Sequence, residues 1–367
     1  ASLADKACEI DIHIFSEDIK ATAGCITALG ASVTECEGKL IVEPLKDKKK
    51  LTELFCNESG TTARLLLPVA AATAQKAIFT GSGRLPERPM NELCEVLRKH
   101  NVSVSSDYLP ITIEGKPSPG IFEIKGNISS QYISGLLYAL PLLDDDSEIR
   151  LTTSLESAGY VDMTLDVMKK FGIDFEKTAG GFKIKKGNYI SPGRVSVEAD
   201  WSNAAFFVVA NKLGADIEIT NLNNDSIQGD RKITSILDDT EIDASQIPDL
   251  IPILSVLAAG RKGDTRIYNA ERLRIKESDR LNSVCTVLNS IGGNLHETKD
   301  GIIIHGNGKL KGGCADGFND HRIVMSLAIA SLICDEPVII KGAQAVNKSY
   351  PLFFEEFKRL GGNINVL

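Results

Sequence analysis

Long runs of small and apolar residues set the rhythm of this chain. Segments 63–74, 133–143, 204–213 and 323–334 are apolar on every side at helical length, which predicts helices enclosed all round by other elements. Between them lie short period-two alternations, among them 77–80, 102–105, 111–114 and 182–185, which predict strands with one buried face. A third kind of segment spaces its apolar residues by three or four: Met90, Leu93 and Leu97, then Val161, Leu165, Met168 and Phe171. That spacing predicts amphipathic helices with one face on a core.

These segments recur in a fixed order: apolar helix, strand, amphipathic helix, strand, turn, strand. The copy that opens at Ser59-Gly60-Thr61 is the fullest. Others open at Ser129-Ser130-Gln131, at Asp200-Trp201-Ser202 with a strand expected at 216–220, and at Pro248-Asp249. The last opens at Asn319-Asp320-His321-Arg322, with a strand at 338–340 and a helix at 352–360. Corresponding strands are roughly 70 residues apart, longer than solenoid repeats, so a few large units per domain are expected. Three copies on each side of residues 197/198 predict two similar domains, 1–197 and 198–367, joined by a tight hinge. The fold class is α/β (α+β), with sheets packed around buried helices.

The first copy is incomplete. Residues 1–5 match the tail of an apolar helix, as in 330–335, and a strand at 9–14 and a helix with Ile19, Ile26 and Leu29 follow. The last copy stops at 363–367 without a closing strand. Symmetry leads us to expect one further segment, a strand and an apolar helix, filling both gaps. Without it an apolar trough would be exposed, so the chain alone is expected to be unstable or to associate with that segment.

Arg274-Ile275-Lys276-Glu277-Ser278-Asp279-Arg280 adds chemistry to this frame. Leu281, Val284, Leu288 and Ile291 follow at helical spacing, so a helix is expected from about Glu277, with Glu277 and Arg280 extending its buried stripe. Buried charges must be paired with each other or opposed by a charged ligand. The starts of the apolar helices are rich in Ser, Thr and Asp, which cap helices and also create anion sites beside free N–H groups. Capping alone does not call for Arg64 one turn into an apolar helix, or for Arg322 beside His321. With Arg84, Arg88, Lys276, Arg280 and Lys348 they form a set of cations at element ends in a chain of net charge −8. Such a set suits small anionic substrates.

That net charge and the absence of a dense basic run argue against nucleic acid; the richest run, 46–50, reads as a solvated turn. No apolar run is long enough to span a bilayer and no signal peptide opens the sequence. The 8 cysteines are scattered without a C-x-x-C pair, which fits reduced thiols in a cytoplasmic protein and gives no zinc site.

Asn57-Glu58-Ser59-Gly60-Thr61-Thr62-Ala63-Arg64, Glu87-Arg88-Pro89, Ser129-Ser130-Gln131, the heptapeptide Arg274 to Arg280 and Asn319-Asp320-His321-Arg322 occur in this order over essentially the whole chain. In this the sequence resembles the EPSP synthase family. The resemblance implies two domains, each of three βαβαββ units around buried helices, with an interdomain active-site cleft. It implies transfer of the enolpyruvyl group of phosphoenolpyruvate to the 5-hydroxyl of shikimate 3-phosphate, with no metal or organic cofactor.

Carried over by motif, Asp249 resembles the base for the attacking hydroxyl and Glu277 the acid that protonates the methylene. Gly60, Arg88, Gln131, Arg280, Arg322 and Lys348 resemble phosphoenolpyruvate contacts. Thr61, Ser129, Ser130, Gln131, Ser157, Tyr160, Asp249 and Lys276 resemble shikimate 3-phosphate contacts. Two carboxylates among cations fit an addition followed by an elimination, in which acid and base exchange roles. Three departures stand out. The family's initial Lys-Ser loop and the Arg behind it are not found. Ser157-Ala158-Gly159-Tyr160 replaces a Ser-Lys-Pro-Tyr form, and Arg272 stands where some members have Asn and is left unassigned. The resemblance implies a monomer, or a chain working with a separate N-terminal segment. A non-catalytic homologue is the alternative; a transferase acting on a UDP-sugar fits less well, because its loop cysteine has no counterpart here.

Overall fold

The computed structural model describes residues 1–12, 14–46 and 50–366, and these fall into two units, Ala1–Val197 and Glu198–Leu367. Strands β1 (Cys8–Asp11), β2 (Ser32–Cys36) and β3 (Lys39–Glu43) lie in the order β1-β3-β2. Strands β4 (Thr52–Phe55), β5 (Lys76–Thr80), β6 (Ser103–Val104) and β7 (Ile111–Glu114) form a second sheet in the order β4-β5-β7-β6. Strands β8 (Ile121–Ile124), β9 (Ser147–Leu151), β10 (Phe175–Thr178) and β11 (Gly181–Ile184) repeat that order as β8-β9-β11-β10. In both sheets the first pair is parallel and the others antiparallel, because a helix makes the crossover between the first two strands.

The first sheet obtains its parallel strand from the far end of the unit. Strand β12 (Arg194–Ser196) pairs with β1, placing Glu9 opposite Arg194 and Asp11 opposite Ser196. Arg194 Nε and Ser196 Oγ donate to the Asp11 carboxylate at 2.8 and 2.6 Å.

Helix α1 (Glu17–Leu29) belongs to the first copy, and α2 (Gly60–Thr73), α3 (Asn91–Lys99), α4 (Ser130–Ala139) and α5 (Ala158–Lys170) follow in turn. The crossover helices α2 and α4 are buried along most of their length and α3 along one face, as their patterns predict. Pro68 lies inside α2 and offers no N–H to the carbonyl of Arg64 four residues earlier. Helix α4 packs at that place: a Cβ on Gly135 would lie 2.5 Å from the Arg64 carbonyl oxygen. Only a glycine permits that approach.

The second unit contains helices α6 (Trp201–Lys212), α7 (Ile251–Ala259), α8 (Arg280–Ser290), α9 (His321–Ala330) and α10 (Phe353–Arg359). Its full sheet takes the same order, with β13 (Glu241–Asp243), β14 (Lys262–Tyr268), β15 (Leu295–Glu297) and β16 (Ile302–Asn307) arranged β13-β14-β16-β15. The last copy contributes a parallel pair, β17 (Gly313–Asp316) and β18 (Val338–Lys341). Helices α6, α7 and α9 share one core. The repeat is also visible at two isolated parallel bridges, Ala4 with Tyr189 and Leu310 with Cys334, which follow matching turns.

Several boundaries differ from the sequence reading. Residues 216–220 alternate in burial but form no strand: the Asn211 amide bonds the Ile217 carbonyl and N–H at 2.7 and 2.8 Å, as the Asn289 amide does at Leu295 in β15, but among the described residues no strand lies beside 216–220 to pair with it. Residues 1–5 match the end of the α9 run, where Cys334 N closes on Ser331 O at 3.3 Å before the bridge to Leu310. Ala4 N closes a single turn on Ala1 O at 2.9 Å, and the bridge to Tyr189 then takes the chain away. Helix α8 starts at Arg280, not near Glu277, because the shorter Asp279 side chain caps it by accepting from Asn282 N. Glu277 therefore lies in the preceding loop. Helix α4 gives way at Ala139 to a 3₁₀ turn, Leu140–Leu142, around Pro141, and α9 gives way at Ala330 to Ser331–Ile333. Residues 47–49 of the basic run, His13 of the strand expected at 9–14 and Leu367 lie outside the described residues.

Candidate functional site

In the second unit the loop before α8 and the starts of α7 and α9 bring three cations and three carboxylates together. Arg280, only 1 % exposed, donates through Nη1 to Asp249, through Nη2 to Glu277 and through Nε to Asp320, at 2.7, 2.7 and 2.8 Å. Arg322 Nη2 lies 3.2 Å from the second Asp249 oxygen, and Lys276 Nζ lies 3.6 Å from the first. Asp320, fully buried, caps α9 by accepting from Arg322 N at 3.0 Å and also accepts from Ser278 Oγ at 3.1 Å. Asp320 thereby fixes one edge of the Arg280 guanidinium, and the other edge faces Asp249 and Glu277. Asp249, on a 3₁₀ turn leading into α7, caps no helix through its side chain, so its carboxylate is given over to the cations. Lys348 Nζ joins the start of α9 by donating to the Asn319 carbonyl at 2.5 Å.

The electrostatics follow from this crowding. Burial would raise the Asp249 carboxyl, but Arg322, Lys276, Arg280 and His321 overcome it and hold the group well below the usual carboxylate range. Asp320 is likewise depressed, burial being outweighed by Arg280. Burial, opposed by Asp249, lowers Lys276. His321 drops to about 4 through burial and then the Arg322 charge, so its imidazole is neutral at pH 7. The three positive and three negative side chains balance. A polyanionic ligand entering there would raise Asp249.

In the first unit the predicted residues gather at the starts of α2 and α4. Ser59 caps α2, accepting from Thr62 N at 3.3 Å and from Thr62 Oγ1 at 2.9 Å. Arg64 Nη1 donates to Gln131 Oε1 at 2.9 Å, and Gln131 Nε2 donates to Thr61 Oγ1 at 2.7 Å, which ties the two helix starts together. Gly60 lies against the buried Arg88: a Cβ at Gly60 would be 2.7 Å from Arg88 Nη1. Ser129 precedes α4 without a side-chain cap bond, and Ser130 begins that helix, buried. Ser157, in left-handed conformation at φ 55°, and Tyr160 begin α5, which joins α4 through a 2.7 Å contact between the Ser134 and Thr164 hydroxyls.

Thus Gly60, Thr61, Ser129, Ser130 and Gln131 lie at neighbouring helix starts in one unit, with the Arg88 guanidinium against Gly60, and Asp249, Lys276, Glu277, Arg280, Arg322 and Lys348 lie in the other. Ser157 and Tyr160 are one helix further along. Asp320 was visible to sequence reasoning only as a capping residue; its hold on Arg280 needs the fold. Ser202 Oγ donates to the buried Asp230 and lies 3.3 Å from Arg322 Nη2, a link with no motif to announce it. Arg272 donates to the Ser245 carbonyl, in the loop before Asp249. Among the described residues no group of three or more His, Cys, Asp or Glu is placed to hold a metal ion, and no helix is long and apolar enough to cross a membrane.

The sequence and the fold both have counterparts among known proteins. The profile of EPSP synthase (3-phosphoshikimate 1-carboxyvinyltransferase) matches residues 1–245 and 237–357. The 3-phosphoshikimate 1-carboxyvinyltransferase of Clostridium novyi is 43% identical over 399 aligned positions, covering 100% of this chain and 92% of the relative. That of Clostridium perfringens (strain 13) is 44% identical, covering 99% and 92%. The solved EPSP synthase of Acinetobacter baumannii superposes with a TM-score of 0.81 at 24% identity, over 99% of this chain and 92% of that one, a likeness of fold. This chain therefore belongs to the EPSP synthase family of enolpyruvyl transferases.

Proposed function

We propose that the chain transfers the enolpyruvyl group of phosphoenolpyruvate to the 5-hydroxyl of shikimate 3-phosphate and releases phosphate. The observation that carries this is Arg280, buried, with Asp249 and Glu277 each 2.7 Å from its guanidinium. In the addition step the 5-oxygen bonds to C2 of phosphoenolpyruvate, Asp249 takes the hydroxyl proton, and Glu277 gives a proton to the methylene carbon. In the elimination the bond from C2 to the phosphate oxygen breaks as Asp249 gives its proton to the departing phosphate and a methyl proton returns to Glu277, leaving enolpyruvyl ether, inorganic phosphate and both carboxyls as they began. Proton transfer between positioned carboxylates and substrate accounts for both halves, and the reaction calls for no cofactor.

Substrate charge sets the protonation states. Asp249 is ionised before binding, as a base must be. Phosphate and carboxylate groups arriving at Arg280 and Arg322 engage the guanidinium that Glu277 otherwise pairs with, which frees Glu277 to carry the proton it gives to the methylene. Arg88, Arg280, Arg322 and Lys348, with Gly60 and Gln131, hold phosphoenolpyruvate. Ser129, Ser130, Gln131, Thr61, Ser157, Tyr160 and Lys276 hold shikimate 3-phosphate. We place this work in the cytosol, with the chain acting as a monomer.

Phosphate release from the two substrates together is the test. Asp249→Asn and Glu277→Gln are each expected to lower kcat by on the order of 10²–10⁴ while leaving shikimate 3-phosphate binding measurable by calorimetry. Release at the wild-type rate in both variants would refute the assigned roles. No release by the wild-type chain, with both substrates bound, would refute the activity.

A further inference from the structure

We infer that Tyr132 is a positioning residue for the phosphoenolpyruvate clamp, holding the Arg88 segment from behind through its hydroxyl and supporting Arg64 through its ring. This rests on the proposed enolpyruvyl transfer. Tyr132 lies in the first turn of α4, directly after Gln131, and is 1 % exposed. Its hydroxyl donates to the Pro89 carbonyl at 2.8 Å, the residue immediately after Arg88. The Arg64 guanidinium stands over its ring, 5.6 Å from the centroid. Packing does not require the hydroxyl contact: a phenylalanine would fill the same volume.

The geometry makes one side chain the junction of the region. In front, the Arg88 guanidinium rests on Gly60 at the start of α2. Behind, the carbonyl of the next residue is pinned by Tyr132. Arg64, over the ring, holds Gln131, and Gln131 holds Thr61. A cation that must meet a small anion within a few tenths of an ångström needs its backbone fixed as well as its side chain. Burial raises the phenol above its ordinary value although Arg64 and Arg88 pull it down, so the hydroxyl keeps the proton it donates.

The test is Tyr132→Phe, which keeps the ring and deletes the hydroxyl. One neutral hydrogen bond corresponds to about a twofold to tenfold change. KM for phosphoenolpyruvate is expected to rise by that factor, with kcat and KM for shikimate 3-phosphate within twofold of wild type. A second readout needs no turnover: phenylglyoxal labelling mapped by mass spectrometry should modify Arg88 faster in the variant. Tyr132→Leu, which also removes the ring, should in addition accelerate labelling at Arg64. Unchanged Arg88 labelling overturns the inference. So does faster labelling with an unchanged KM for phosphoenolpyruvate in an active enzyme. If the wild-type chain releases no phosphate, the functional reading fails separately, and labelling still decides whether Tyr132 positions Arg88.

Discussion

Replacing Gly60 by alanine isolates the seat of one cation. The new Cβ would lie 2.7 Å from Arg88 Nη1, 3.0 Å from Cζ and 3.2 Å from Nη2. Carbon and nitrogen settle at about 3.5 Å or more, so the guanidinium must retreat by roughly 0.7–1 Å. Because the displaced group is the end of a side chain, the fold should give way cheaply. Alanine also favours a helix over glycine by about 1 kcal/mol, offsetting part of the strain. Binding geometry has no such slack: a misplacement of about 1 Å costs on the order of 10–100-fold. Gly60→Ala should therefore lower kcat/KM for phosphoenolpyruvate by that factor, with KM for shikimate 3-phosphate within twofold and Tm within a few degrees. The assay is steady-state phosphate release with each substrate varied against saturating levels of the other, beside a thermal melt. A kcat/KM for phosphoenolpyruvate within twofold of wild type would refute the reasoning, as would an equal loss toward both substrates.

Other predictions concern stability. His321, ordinarily near 6.5, is held at about 4. Above pH 6.5 it is neutral folded and unfolded, and between 6.5 and 4 only the unfolded chain takes up the proton. Stability should fall across that window by about 3 kcal/mol, and denaturant titrations of His321→Gln should show a flatter profile there. Asp249 and Asp320, depressed below 3.8, stabilise the fold above that pH and lose their contribution as the pH falls further, so a second decline should appear in acid. Gly135→Ala drives a methyl into the Arg64 carbonyl with backbone on both sides. It should destabilise by about 1–3 kcal/mol in a urea melt, and an unchanged midpoint would contradict the close packing of α2 and α4.

Much of this fold could be read from hydrophobic pattern alone, because enclosure on all sides leaves a mark that little else leaves. The 111–114 alternation names its strand residue for residue, and the 63–74 run its helix to within three residues. What escaped depended on neighbours that a pattern does not name. Residues 216–220 alternate like a strand, but pairing needs a neighbour, and among the described residues no strand lies beside them. The start of α8 turned on which carboxylate could reach back to a backbone N–H, a matter of one methylene between Asp279 and Glu277. At the site the residue types were legible, while Asp320 steering Arg280, and Tyr132 backing the Arg88 segment, belong to the assembled structure. Family resemblance supplied the roles. It could not supply the 2.7 Å contacts that place Asp249 and Glu277 on one guanidinium.

The pairing of β1 with β12 has a consequence during synthesis. Asp11 and Arg194 are separated by 183 positions, and Val197, the last residue of the unit, donates its N–H to the Asp11 carbonyl at 3.2 Å. At about 5–20 residues per second, β1 emerges from the ribosome about 10–40 s before its parallel neighbour exists. For that time the outer groups of β1 stay unpaired, a template for any extended chain nearby. The strand that pairs with them is the last the unit makes and takes over the edge of the sheet, so β1 is covered only on the unit's completion. A nascent chain released short of residue 194 would carry the open edge with it, and so should be a substrate for chaperones in a way that one released just past 197 is not.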